Sequence, residues 1–341
     1  MINLIRQHSI RLFIWAILAA IFIGLLVYPP VVAQAAHSAL DISARRIIPI
    51  LFPFFVLTQI AMETGLTQVV GRVLAVPIAK IFALPPQAGA ALVMGMIAGF
   101  PVGAKCAALL VEAGEISRKD GERLCALSSI CSPAFLVAFV GAGMVGNALF
   151  GVVIYTAHVT SMVIFALFTR PRVSTNFVAA ATCRPRATAR VASTEPARIS
   201  MPKLSLNSIS TAIYSAAGAT IAICATVIFF NIVSGVALHV IGGQRSMGGI
   251  ALMGLLEMVG GVTSVGAREW SWIAMIVLFT LITGWGGLAV HMQVALVTSG
   301  AQLNLRQYFA AKIIAPPIAA ILAILFYVLF FVLSVWRYGF M

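Results

Sequence analysis

The sequence predicts an all-α polytopic membrane protein made of two inverted repeats, each with a re-entrant helical hairpin and a broken transmembrane helix. Three observations predict it. Of 341 residues, 61% are hydrophobic and 9% charged, against about 25% charged in a soluble domain, and the mean hydropathy is +1.06. Apolar runs are interrupted at corresponding places in both halves: Gly99-Phe100-Pro101-Val102-Gly103-Ala104-Lys105 and Ser128-Ser129-Ile130-Cys131-Ser132-Pro133, then Glu257-Met258-Val259-Gly260-Gly261 and Thr283-Gly284-Trp285-Gly286-Gly287. Between the halves lies a polar connector rich in arginine. A helix broken in hydrocarbon strands N–H and C=O groups with no water to take them. Paired breaks at corresponding positions therefore point to a cavity enclosed by protein, as in transporters.

The elements follow in order. Residues 1–44 form an N-terminal helix and loop. Arg6 and Arg11 precede an apolar run from Leu12, followed by Pro29-Pro30 and Ala33-Gln34-Ala35. The run to Val32 suits a retained signal-anchor, at the roughly 20 residues a span needs; a cleaved signal peptide is the other reading. His37, Asp41, Arg45 and Arg46 mark the expected loop. Residues 45–168 are the first repeat: a span over Ile47–Met62, an amphipathic interfacial helix over Leu66–Leu84 with a short full span as the competing reading, the interrupted run Gln87–Ala113, and spans over Leu124–Val145 and Asn147–Phe168. Residues 169–206 are a disordered basic cytoplasmic linker, too polar to bury a core. Residues 207–341 repeat the plan with Ile209–Gly235, interrupted Met247–Val265, broken Trp270–Thr298 and Tyr308–Val335. Met94-Gly95 and Met253-Gly254 open the two interrupted runs alike.

Charge sets the expected topology. The linker holds seven of the 22 basic residues (Arg170, Arg172, Arg184, Arg186, Arg190, Arg198, Lys203) and one acid, Glu195, which places it in the cytoplasm. As one helix the Gln87–Ala113 run would be about 40 Å long, too long for a core of roughly 30 Å. Folded as a hairpin, it starts and ends on one side. With the first hairpin entering from the cytoplasm and the second from outside, five basic residues (Arg45, Arg46, Arg245, Arg268, Arg337) fall outside, Lys105 lies in a hairpin, and the other sixteen of the 22 fall inside. The protein is expected in the cell (inner) membrane, multi-pass, with its N-terminus in the cytoplasm.

Ionisable groups at membrane depth are costly and are candidates for function. The candidate substrate-binding or gating residues are Gly99, Pro101, Lys105, Ser129, Ser132, Glu257, Gly286, Gly287, His291 and Gln293. Lys105, Ser129 and Ser132 are expected to face Glu257, His291 and Gln293. Half-helix N-termini there would offer free N–H groups to an anionic or hydrogen-bonding solute, and Glu257 and His291 could exchange protons. Structural roles compete: Lys105 could snorkel to the interface or pair with Glu257, and His291 could be a packing residue. The five cysteines, Cys106, Cys125, Cys131, Cys183 and Cys224, have no metal-ligand spacing, so no metal or cofactor is expected. No basic-aromatic module points to nucleic acid.

At these motifs the chain resembles the sporulation integral membrane protein family with gate (nucleoside-recognition) domains. The resemblance rests on Leu51-Phe52-Pro53-Phe54-Phe55, on Gly99 to Lys105, and on Gly114-Glu115-Ile116-Ser117 with Glu122-Arg123-Leu124. It continues in Cys131-Ser132-Pro133-Ala134-Phe135 and in Gly286-Gly287-Leu288-Ala289-Val290-His291-Met292-Gln293. It extends over roughly residues 45–168 and 207–335. The chain departs from the pattern at Ser129, Ile130 and Ser132, where relatives tend to carry two asparagines and a glycine. The resemblance implies solute passage.

The expected function is that of a secondary transporter or permease-like protein for a small polar solute, with nucleoside-like solutes suggested by the resemblance alone, and with the lipid bilayer as its other partner. A homo-oligomer is compatible with the sequence. The alternative is a non-transporting membrane scaffold in envelope or spore assembly, with its buried polar groups paired to one another. An enzyme is not expected: the chain has no Gly-x-Ser-x-Gly elbow or third triad member, and no nucleotide-binding motif for ATP-driven transport.

Overall fold

The computed structural model describes residues 2–64, 69, 73–170, 206–243 and 246–338, and among these no strand occurs. The chain is a bundle of α-helices. Among the described residues four helices are long and apolar enough to cross a membrane: Ala148–Phe168, Leu206–Val240, the joined pair Trp272–Thr298, and Arg306–Phe330. A fifth candidate is bent by 96° where Ile14–Val27 meets Pro29–Ile60. The protein is therefore a multi-pass membrane protein.

Helix α1 (Ile2–Val27) ends at Tyr28, and Pro29 and Pro30 open α2 (Pro29–Ile42). Proline lacks the N–H that a continuing helix needs but fits the first turn of a new one, so the bend falls there. The loop expected before residue 45 is instead helical. A π-helical turn over Ser43–Ile47 carries α2 directly into α3 (Ile48–Glu63). Asp41 and Arg45 sit one turn apart on this helix and form an exposed ion pair, so these charges decorate a helix without breaking it. The interfacial helix expected over Leu66–Leu84 is described at residue 69 and from 73 onward, where Ala75–Pro77 and a π-helical turn over Ile78–Phe82 are helical. Most of its first half, and the basic linker over 171–205, lie outside the described residues.

The first interrupted run is a helical hairpin of α4 (Gly89–Ala98) and α5 (Val102–Glu112). Its arms touch because they carry glycines: a Cβ on Gly95 would stand 3.0 Å from the Gly103 Cα. Helix α6 (Arg118–Ser128) leads to a non-helical break at Ser129–Ser132, then a π-helical run Ala134–Val145. Helix α7 (Ala148–Phe168) closes the half. The second half has the same order. After α8 (Leu206–Val240) comes a hairpin of α9 (Met247–Leu256) and α10 (Met258–Gly266). Its arms also meet at glycines, with a Cβ on Gly261 only 2.5 Å from the Gly254 Cα. A broken helix follows, α11 (Trp272–Trp285) and α12 (Gly287–Thr298), then α13 (Arg306–Tyr338).

Helix α7, about 31 Å long by its 21 residues, gives the bundle two identifiable ends. At its C-terminal end Arg123 is buried and donates to the carbonyls of Phe82 (2.7 Å), Ala166 (2.7 Å) and Thr169 (2.9 Å). A planar fork of donors suits this task, since the last carbonyls of a helix have no partner within it. Beside it, Arg118 donates to the Gln302 carbonyl and the Asn304 amide to Glu122 (3.0 Å). The first hairpin therefore leaves toward this end. At the other end, Phe150 packs on Trp272 with centroids 5.9 Å apart, and Gly266 lies against Met144. The second hairpin therefore leaves toward the opposite end.

Candidate functional site

In each half the hairpin tip rests on the break of the following helix, and glycines make the approach possible. Gly99 has φ +76°, a left-handed conformation that costs other residues energy. A Cβ there would lie 2.8 Å from the Ser132 amide nitrogen. Gly286 and Gly287 have φ +88° and +82°, and a Cβ on Gly287 would lie 3.0 Å from the Glu257 Cα. The two tip-and-break pairs meet at the centre. Cys131 Sγ lies 3.9 Å from Met258 Sδ, and Phe100 at the first tip lies close to Gly286. The Phe100–Pro101 peptide is cis.

A small cleft with a cavity volume of about 50 Å³, partly open to the surroundings, lies where these segments meet. Both tips line it through Phe100 and Glu257, and the helices after the two breaks line it through Phe135, Val290 and Gln293. Leu51 and Phe55 from α3 and Ile223 and Thr226 from α8 form the remaining wall. Most of this lining is apolar or aromatic, with Ser132, Thr226, Glu257 and Gln293 as polar points. A small ligand with an apolar body and a few hydrogen-bonding groups suits such a lining.

Glu257 is 5% exposed. It ends α9 and caps α10, accepting from the Val259 amide (2.8 Å) and the Gly260 amide (2.6 Å). Among the described residues no lysine or arginine pairs with it; the positive N-terminal end of its own half-helix supplies the compensation. Gln293 donates to the Thr226 hydroxyl across the cleft (3.2 Å). Ser132 Oγ accepts from the Phe135 amide (3.2 Å) and so starts the π-helical run.

Of the candidate residues, the structure brings Ser132, Glu257 and Gln293 to the cleft. Gly99, Pro101, Gly286 and Gly287 shape the tip and break that border it. Ser129 is buried behind the break, with its hydroxyl donating to the Cys125 carbonyl (2.6 Å). His291 also lies behind, its Nδ1 2.7 Å from the Tyr308 hydroxyl and its Nε2 without a hydrogen-bond partner among the described residues. Lys105 is exposed and does not face Glu257. Gly103, Ala104, Ala107 and Ala108 form the buried face of α5, and that spacing turns position 105 outward.

One central residue is absent from the candidates. Lys312 on α13 is 3% exposed. Its Nζ donates to the Ser129 carbonyl (2.5 Å) and the Gly284 carbonyl (3.3 Å) and stands 3.9 Å from the Phe100 ring centroid. It touches both breaks and the first tip. A lysine inside an apolar span is a signal of the same kind as Glu257, and that rule would have found it. On α7, His158 Nε2 lies 3.0 Å from the Thr283 hydroxyl, and Tyr155 donates to the Met96 carbonyl (3.0 Å), tying this helix to the second break and the first hairpin.

The fold and site define a class: multi-pass helical membrane proteins in which helical hairpins and broken helices border a central cleft. The comparisons agree with the resemblance in the motifs. Residues 44–148 match the Gate family, described as nucleoside recognition. Over 131 residues, 38% of this chain, the sequence is 33% identical to the sporulation integral membrane protein YlbJ of Bacillus subtilis (strain 168). The match takes in 32% of that protein, so the chain spans about a third of the length of this curated relative. No solved structure matches. The Gate match contains the first hairpin and the first break.

Proposed function

We propose that this chain is a permease-like protein that passes a small polar solute through the cleft between its hairpin tips. The observation that carries the reading is the cleft itself: both hairpin tips and the helices after both breaks come together around one space with a cavity volume of about 50 Å³. In this reading Glu257, Gln293, Thr226 and Ser132 engage the solute's polar groups, while Phe55, Phe100 and Phe135 pack its apolar body. The Gate description makes nucleosides the first solutes to try. The opposite exits of the two hairpins, together with the distribution of basic residues, support inverted repeats with the linker in the cytoplasm. Alternating access would then come from one hairpin moving against the broken helix beneath it.

The test is uptake of a mixed nucleoside panel into proteoliposomes by wild type, Glu257→Gln, Gln293→Ala and the outward-facing control Met292→Ala. Uptake by wild type and the control, reduced at least about tenfold in the two cleft variants, is expected. Folded protein that takes up no panel member would count against a nucleoside-like solute and favour the scaffold reading. That reading draws its support from the internal partners Glu257 and Gln293 already have.

A further inference from the structure

The position of Lys312 has a physical logic that the solute cleft does not use. Ser129 is the C-cap of α6, and Gly284 lies in the last turn of α11. Each carbonyl belongs to a helix C-terminus, where unpaired C=O groups carry a partial negative charge. Two half-helices thus direct their negative ends at one point, and the Phe100 ring presents its negative face to the same point. The space beside it is a second, very small cavity of about 10 Å³, lined by Cys131, His158, Ser161 and Lys312 among others. Among the described residues no carboxylate lies within ion-pair distance of the ammonium. An ammonium in hydrocarbon without a carboxylate is costly, and carbonyl dipoles are the compensation this chain supplies. Pro316 and Pro317, one turn further along α13, remove the N–H groups that would bond the Lys312 and Ile313 carbonyls.

We propose that Ser129 O, Gly284 O and the Phe100 face form a monovalent-cation site that the chain fills with its own Lys312 ammonium. Both carbonyl oxygens lie within 3.3 Å of Nζ, so one ion at the same point reaches both. The absence of a carboxylate suits a single positive charge, and carbonyl oxygens suit an alkali ion or a primary ammonium. The tethered charge holds the two broken helices together without a free ion. Removing the side chain beyond Cβ leaves a site for Na+, K+ or n-propylammonium. This inference concerns the protein alone and stands apart from the solute reading.

The test is thermal unfolding of the purified full chain in detergent, at constant ionic strength, with choline chloride replaced stepwise by NaCl, KCl or n-propylammonium chloride. Wild type, Lys312→Ala and Lys312→Met are compared. Wild type is expected to have the same Tm in every salt. Lys312→Ala is expected to unfold lower in choline and to recover several degrees, saturably, in at least one of the three small cations. Lys312→Met is expected to be destabilised without recovery, because its side chain occupies the space. A Lys312→Ala protein that responds to no small cation beyond choline would overturn the proposal. So would a cation response equal in wild type or Lys312→Met, which would place the ion elsewhere. If Lys312→Ala does not fold in any salt, a Lys312→Met protein as stable as wild type would overturn it by showing that the charge is dispensable.

Discussion

Glu257 combines two roles that usually fall to different residues. Its carboxylate accepts the first free amides of α10 and also lines the cleft, so loss of the side chain should be felt in stability before any solute is considered. Glu257→Ala leaves two buried N–H groups without an acceptor and should cost about 1–2 kcal/mol. Glu257→Gln keeps one acceptor but turns an NH₂ toward the second amide, so its cost should be lower. Thermal unfolding of the two variants checks that order. Arg123 makes a sharper case, because its guanidinium serves three carbonyls from two segments. Arg123→Lys retains the charge but reaches fewer of these acceptors and should still lose about 1–3 kcal/mol. A lysine variant as stable as wild type in the same assay would show that the fork geometry is unimportant. In the sequence Arg123 is one more charge after Glu115, Arg118, Lys119, Asp120 and Glu122. Its acceptors at Phe82, Ala166 and Thr169 are more than 40 residues away, so nothing local reveals the burial.

At the scale of elements, the hairpins were legible because their chemistry is local. Gly-Phe-Pro-Val-Gly and Glu-Met-Val-Gly-Gly interrupt an apolar helix, and the Gln87–Ala113 run is also too long to cross the bilayer as one helix. The matched Met94-Gly95 and Met253-Gly254 proved to mark where the hairpin arms touch. Small residues at both sides of that contact predict sensitivity to one methyl group. Gly261→Ala must displace the Gly254 backbone and should destabilise by about 1–3 kcal/mol. Gly218→Ala, on a face of α8 with nothing within 4 Å of the new Cβ, should be neutral or slightly stabilising. Folded yield and Tm of this pair report whether the second hairpin is as tightly closed as the structure has it. The helical 29–63 segment was less legible. Its charges Asp41, Arg45 and Arg46 look like a loop, yet i,i+4 pairing on an exposed face lets them sit within a helix. The outward turn of Lys105 was written in the small-residue stripe Gly103, Ala104, Ala107 and Ala108, a pattern that outweighs the presence of a charge.

For the whole molecule, the contacts at the two ends of α7 divide the chain into two faces. Arg118, Glu122, Thr169 and Gln302 belong to one, and Gly146, Gly266 and Trp272 to the other. Single cysteines at Lys119 and Ser299 should react with an impermeant thiol reagent from one side of the membrane, and cysteines at Gly146 and Glu269 from the other. Labelling of all four from the same side would contradict the opposed hairpins. What no sequence pattern could give is the meeting of Phe100, Ser129, Gly284 and Lys312, since it needs four separated segments to converge. The central claim is that the space between the tips is a watered solute path and not a crevice filled by lipid. Its most direct measurement places one cysteine at Gln293, on the cleft, or at Met292, which faces out at 57% exposure. The five native cysteines are first replaced by alanine, and a small charged thiol reagent is added to the protein in proteoliposomes. The account predicts that Gln293→Cys is modified and that Met292→Cys, facing lipid, is not. Equal protection of both, or modification of Met292→Cys alone, would contradict it.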